Sequence, residues 1–270
     1  MHYYEYQPGK LLRDYVQCYF TCETNEVVTI HDQVFASGSI EIMFNLGAES
    51  PQTIINSTRV TQPAVQLWGQ TIQPLSFTTI GRHKMLGIRF FGHTAAYFFD
   101  EPIANFNDHV IDLKDVAGQA VRILYDQLQS SGSLVDRITL LEHYLLAQLA
   151  RHGKSSKLKL MCSVVQALQR DDFFENINSV ARDHGLSSRY LQKLFLAYSG
   201  LSPKLFVKIY RFRKSIEMVA GNDLSLTAIA YQCGYYDQSH FIKDFKYFTR
   251  IMPSHFCPES STDLAVPLNY

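Results

Sequence analysis

The chain has 270 residues, 46% of them hydrophobic and 19% charged, and its 25 basic and 25 acidic side chains leave no net charge. That is ample apolar material for a folded core and excludes a disordered polyelectrolyte. No run of about 18 apolar residues is present to cross a bilayer, and the Met1-His2-Tyr3-Tyr4-Glu5 start lacks the basic and apolar regions of a signal peptide.

In chain order, the first elements are short β-prone runs at residues 27–30, 40–44, 65–68 and 86–91. Turn-prone stretches separate them: Ala36-Ser37-Gly38-Ser39, Asn45-Leu46-Gly47 and Gly81-Arg82-His83. Short strands at this spacing predict a small barrel or sandwich. Helical periodicity follows over residues 116–129 and 134–151. In the second helix Leu134, Ile138, Leu141, Leu145 and Leu149 form an apolar stripe close to a coiled-coil seam, flanked by Arg137, Glu142 and Gln148. Such a stripe packs either on the chain's own β-domain or on a second copy. The polar stretch 151–157 predicts a linker, and residues 159–255 are helical in pattern almost throughout.

Charge divides at the same place. Residues 1–153 carry 10 basic and 15 acidic side chains, a net of −5, whereas residues 154–258 carry 15 basic and 8 acidic, a net of +7. A basic module beside an acidic one points to different partners, with a polyanion for the basic half. The expected organisation is α+β and multidomain. A β-rich domain with two helices occupies 1–153, a linker 154–158, an all-α domain 159–258 and a tail 259–270. The five cysteines are an odd, sparse set that fits reduced thiols and a cytoplasmic protein.

The basic half contains one pattern twice. Residues 177–195 and 226–245 each place an Ala four residues before a Gly: Ala181 and Gly185, then Ala230 and Gly234. A cap-type residue follows, Ser187 or Asp237, and then a helix with apolar residues three or four apart. Each copy runs on into a similar turn, Gly200-Leu201-Ser202-Pro203 and Arg250-Ile251-Met252-Pro253. The small Ala lets two helices approach, Gly ends the first at positive φ, and Ser or Asp caps the second. This is the chemistry of a helix-turn-helix, whose second helix enters a DNA major groove. Facing away from the apolar stripe near the start of each second helix are Ser188, Arg189, Gln192 and Lys193, and Gln238, Ser239, His240 and Lys243. These are the expected base contacts: Arg and Lys suit guanine edges, Gln suits adenine. The two helices begin about 50 residues apart, joined by a predicted helix over about 203–220 and suited to two successive major grooves.

These residues resemble a known family. The stretch Ile229-Ala230-Tyr231-Gln232-Cys233-Gly234-Tyr235, with Asp237-Gln238-Ser239-His240-Phe241, Phe245-Lys246 and Pro253, resembles the signature of AraC/XylS-type transcription regulators. The first repeat matches through Arg189-Tyr190-Leu191-Gln192-Lys193-Leu194-Phe195 and Gly200-Leu201-Ser202-Pro203. One departure is Arg250, where the family usually has Gly in the second turn. The resemblance implies seven helices with two helix-turn-helix units, double-stranded DNA and RNA polymerase as partners, and pairing into a homodimer through a helix just before the linker. The N-terminal half is similar to an uncharacterised sensor-like, cupin-like β-domain of some AraC-type regulators, which implies a small-molecule effector.

Other chemistry is sparse. His2, His31, His83 and His93 are scattered and form no His-x-His pair, so no metal and no cofactor is expected. Cys18 and Cys22 would share a face of a strand and read as small core residues. Arg89, between Ile88 and Phe90, requires an anion if it points inward, either an internal carboxylate such as Glu41 or that of a bound ligand. The alternative function is an enzyme, for example DNA alkyl-transfer repair, fused to such a module. That chemistry needs a nucleophilic Cys in a Pro-Cys-His setting, and the five cysteines instead follow Gln17, Thr21, Met161, Gln232 and Phe256. No catalytic residue is therefore expected.

Overall fold

The computed structural model describes residues 1–48, 51–152, 157–170, 177–221 and 223–256. Most of the expected linker and all of the tail at 259–270 lie outside these residues. Ten strands come first: β1 (His2–Tyr6), β2 (Val16–Glu23), β3 (Val28–Val34), β4 (Ser39–Asn45), β5 (Gln52–Ile55), β6 (Thr58–Val60), β7 (Val65–Trp68), β8 (Leu75–Gly81), β9 (Lys84–Phe91) and β10 (Val110–Asp112). They form two antiparallel sheets, ordered β1-β2-β9-β4-β7-β10 and β3-β8-β5-β6.

Side chains alternate across a strand, and the larger sheet divides its residues by that rule. Ile40, Ile42 and Phe44 of β4, Leu86, Ile88 and Phe90 of β9, and Val65 and Leu67 of β7 are buried in one apolar core. The intervening Glu41, Met43, Gln66, Trp68, Met85 and Arg89 line a cavity between the two sheets.

Two helices cover the apolar face, α1 (Leu113–Ser130) and α2 (Leu134–His152). Asp112 caps α1 by accepting from the Lys114 amide at 2.9 Å. Ser133 and Asp136 cap α2 reciprocally, through the Asp136 amide at 3.1 Å and a hydroxyl-to-carboxylate bond of 2.6 Å. Leu141 and Leu145 are fully buried in this core, with Leu134, Ile138 and Leu149 packed against it. The stripe that resembled a dimer seam is therefore occupied by the chain's own sheet, because the large sheet has no other cover for its apolar face.

The remaining elements are helical: α3 (Leu158–Leu168), α4 (Ile177–Asp183), α5 (Ser188–Ser199), α6 (Pro203–Gly221), α7 (Leu226–Gln232) and α8 (Gln238–Thr249), then a 3-10 turn at Pro253–His255. Among the described residues, six α-helices and this turn stand where seven helices were expected. Pro203 opens α6, a position where its missing amide costs nothing. Phe212 of α6 is the centre of an aromatic cluster, 5.7 Å from Phe245 and 4.9 Å from Phe248. Lys208 of α6 also bonds the buried Asp244 of α8 at 2.8 Å.

The two cores meet. Phe35 and Ala36, in the turn between β3 and β4, belong to the helical core and are fully buried there. The Phe35 ring lies 6.5 Å from Phe212 and 5.9 Å from Phe256. Phe35→Ala is expected to cost about 3–5 kcal/mol, although Phe35 belongs to the β-rich half. Chemical denaturation followed by far-UV circular dichroism measures this, and a loss below about 1 kcal/mol would contradict the packing.

His93 sits at the same junction, its Nε2 3.7 Å from Cys162 Sγ on α3. Burial lowers its pKa from 6.5 to about 4. Between those values the unfolded chain binds the extra proton, so stability is complete above the unfolded value and falls as pH drops toward 4. The loss is at most about 3 kcal/mol. His93→Gln is expected to flatten this limb of a stability-versus-pH profile.

Candidate nucleic-acid interface and its link to the N-terminal cavity

Each helix-turn-helix is built from local chemistry. The α4–α5 corner turns at Gly185 with φ of 66°, and the α7–α8 corner at Gly234 with φ of 74°. Ser187 Oγ then accepts from the Tyr190 amide at 3.2 Å, and Asp237 Oδ1 from the His240 amide at 2.7 Å. A second bond braces each corner: Ser188 Oγ donates to Asn178 Oδ1 at 2.6 Å, and Thr227 Oγ1 donates to Gln238 Oε1 at 2.8 Å. Two of the eight expected contact residues, Ser188 and Gln238, thus hold the corners together. Arg189, Gln192 and Lys193 on α5, and Ser239, His240 and Lys243 on α8, are exposed, each set on one helix face. Leu191, Leu194 and Phe195, and Phe241 and Phe245, are buried on the opposite faces.

Tyr236 was not among the expected residues. It is 85% exposed in the second corner, just before the Asp237 cap. The signal was present: the second corner has one residue more between Gly and cap than the first.

The far ends of α5 and α8 share one contact surface. Both helices end in the left-handed conformation, at Gly200 with φ of 69° and Arg250 with φ of 63°. At Gly200 a side chain is excluded, since a Cβ would lie 2.9 Å from the Ala104 backbone. Arg250 bears the strain of a non-glycine residue there, about 1–2 kcal/mol, and its side chain explains the departure noted in the sequence. Its guanidinium donates to Gln73 Oε1 and sits 5.9 Å over the Tyr247 ring. Gln73 Nε2 donates to the Tyr247 hydroxyl at 2.8 Å. Three residues earlier, Gln70 Nε2 donates to Ser199 O at 2.5 Å and to Gly92 O at 3.2 Å. Asn107 Nδ2 donates to Gly200 O at 2.9 Å.

The segment carrying Gln70 and Gln73 connects β7 to β8 and therefore passes from one sheet to the other. Asp108 fixes it, its Oδ1 accepting from the amides of Ile72 at 2.6 Å and Gln73 at 3.0 Å. Trp68 and Thr71 of this stretch line the cavity, so one short segment touches the cavity and both recognition helices.

The cavity encloses about 230 Å³. Arg89 reaches its wall but is already met by two carboxylates, Glu41 through Nε at 2.6 Å and Glu5 through Nη1 at 2.9 Å. Burial works against its charge, and Glu41 more than offsets this, holding the guanidinium protonated. Arg89 was expected to need either Glu41 or a ligand carboxylate. The internal partner is present, and Glu5 adds a second that sequence spacing did not reveal. Cys18 lies behind this cluster, and burial pushes its thiol up to about 12, which removes nucleophilic character. Among the described residues no cluster of three metal-ligating side chains occurs, and no helix is long and apolar enough to cross a membrane.

Comparison with known proteins agrees with this division. Residues 180–257 match the family described as a helix-turn-helix domain, and residues 4–112 match one described as a domain of unknown function, DUF6597. The chain is 25% identical over 188 residues to the uncharacterized HTH-type transcriptional regulator YtdP of Bacillus subtilis (strain 168), spanning 64% of this chain and 24% of the relative. It is 30% identical over 96 residues to the HTH-type transcriptional activator RhaS of Escherichia coli (strain SE11), spanning 35% of this chain and 33% of the relative. It thus covers a quarter to a third of the length of these relatives. A crystal structure of ToxT from Vibrio cholerae superimposes with a TM-score of 0.43 at 12% identity, covering 87% of this chain and 96% of that one. The C-terminal domain is a double helix-turn-helix DNA-binding fold. It is homologous to the AraC-type domain of the AraC-family regulators and belongs with them.

The Arg250 contact separates two effects. Arg250→Gly relieves the left-handed strain and breaks the bond to Gln73, whereas Gln73→Ala only breaks the bond. Amide exchange at the end of α8 is expected to rise in both variants. Arg250→Gly should be the more stable of the two by about 1 kcal/mol in thermal denaturation. The reverse order would mean that Arg250 is not strained.

Proposed function

We propose that the protein is a sequence-specific, double-stranded-DNA-binding transcription regulator controlled by a small molecule at its N-terminal domain. The observation that carries this reading is the pair of capped corners, each presenting an exposed polar helix face. Arg189, Gln192 and Lys193 would read one major groove, and Ser239, His240 and Lys243 the next. The 19 residues of α6 span about 28 Å, which with the flanking helices approaches one DNA turn of about 34 Å. Ser188 and Gln238 would set helix orientation and reach the DNA only at the edge of the interface.

The proposed domain bounds are 1–153, a linker at 154–158, 159–258 and a tail at 259–270. Cytoplasmic location and contact with RNA polymerase belong to the same reading. So does a homodimer, which would need a face other than the buried Leu141 and Leu145. An enzymatic role is disfavoured, since the buried Cys18 thiol is raised and the relatives are named as regulators. Control would run through the β7–β8 segment: a ligand against Trp68 or Thr71 would shift Gln70 and Gln73, and with them the ends of both recognition helices.

The test is DNA binding by the full chain, with selected and random duplexes at several salt concentrations. Affinity should fall by about 0.9 log unit per neutralised phosphate for each tenfold rise in salt. Arg189→Ala should cost about 1–3 kcal/mol on the selected site and relax preference at one base position. A uniform loss on all sequences would assign Arg189 to phosphate instead. Footprinting that finds a single protected groove per chain would overturn the two-groove reading.

A further inference from the structure

The cavity between the sheets has a charge pattern of its own. Arg89 is its one buried cation among the described residues, and Glu5 and Glu41 both sit on it at bonding distance. Tyr3 takes the remaining edge, its hydroxyl 3.4 Å from Nη2, and Phe20 covers a face of the guanidinium at 5.3 Å. An incoming carboxylate would have to displace one of these partners. Asp32 adds another acid to the wall and is 8% exposed. Even with the Met1 ammonium at the mouth counted beside Arg89, the three carboxylates leave the region with a formal charge of −1.

The other walls suit the body of a ligand. Trp68 and Phe77 meet edge to face at 5.8 Å, and both border the space. His83 borders it as well, is 8% exposed, and has no hydrogen-bond partner at Nε2 among the described residues. Burial lowers its pKa, so the ring is neutral near pH 7 and can accept an N–H in one tautomer. Aromatic faces, acidic oxygens and an acceptor nitrogen together favour positive charge.

We propose that this cavity takes a small organic cation, an ammonium group on a compact apolar body, and rejects carboxylates. The ammonium would lie between Asp32, Glu41 and the His83 ring, with its apolar body against Trp68 and Phe77. A volume of about 230 Å³ is below the range of drug-sized pockets, about 300–1,000 Å³, which limits the body to about one ring and a short chain. The inference rests on reading the N-terminal cavity as an effector site and names the chemistry of that effector.

Trp68 is the sole tryptophan of the chain, so its emission reports on the cavity directly. The full-length protein is titrated with phenethylamine, phenylacetate and phenethyl alcohol, which share a ring and differ in charge. Phenethylamine is expected to change Trp68 emission saturably and to bind at least about tenfold more tightly than phenylacetate, with the alcohol between them. Glu41→Gln and Asp32→Asn should each weaken the amine and narrow its lead over phenylacetate, with the alcohol unchanged. Equal or tighter binding of phenylacetate overturns the proposal, as does the absence of any response to the amine in both emission and thermal midpoint. The ligand series on the unaltered protein stands even if a variant fails to fold. No reading requires DNA. Failed DNA binding with an intact amine preference would refute the regulator alone, and the reverse result would refute only the cavity assignment.

Discussion

The alternation of side chains across the six-stranded sheet is the constraint on which the rest of the structure depends. One face must be apolar and covered, and α1 and α2 cover it with Leu124, Leu128, Leu141 and Leu145. The other face is then free to carry Glu41, Gln66, Trp68 and Arg89 without unfolding the domain. A shift of register by one residue in β4 would place Glu41 in the helix-covered core and Ile42 in the cavity. The buried ion cluster and the apolar core are thus two consequences of one pleat.

That same sheet ends where the helical domain begins. The strand β7 runs out of the cavity wall into Gln70 and Gln73, and these side chains bond the terminal turns of both recognition helices. Such contacts are polar and few, so they are weaker than the Phe35 plug beside them. The combination is suited to movement: an apolar anchor keeps the domains together while the hydrogen bonds that set the helix ends can be exchanged. Arg250 belongs to this arrangement. Gly would relieve the backbone but could not reach Gln73, and the retained strain is the cost of that contact.

Charge burial distinguishes the two ends of the protein. On α5 and α8 the basic side chains are exposed, where they keep their hydration until an anion arrives. In the cavity the single guanidinium is desolvated, and two carboxylates compensate it beyond neutrality. The DNA-facing surface and the effector cavity are therefore matched to charges of opposite sign.

The sequence by itself determined what depends on neighbours along the chain. Gly185 and Gly234, the caps Ser187 and Asp237, and the period of Leu191, Leu194 and Phe195 act within a few residues, so both helix-turn-helix units and their exposed faces were legible. The strand at β4 was legible for the same reason, since its Ile-Glu-Ile-Met-Phe alternation shows. Strands such as β3 and β8 were not fully read, because His31-Asp32-Gln33 and Ser76-Phe77-Thr78-Thr79 lack a clean apolar period and acquire their place by pairing with each other. Only the tertiary structure decided what long-range contact controls. It showed that the α2 stripe is covered by the chain's own sheet, that Glu5 joins Glu41 on Arg89 across 84 positions, and that Phe35 fills the helical core. It also explained Arg250, visible in the sequence only as a departure, through a partner 177 positions away. Periodicity reveals which face of an element is apolar, but the surface that covers it is chosen by the folded chain as a whole.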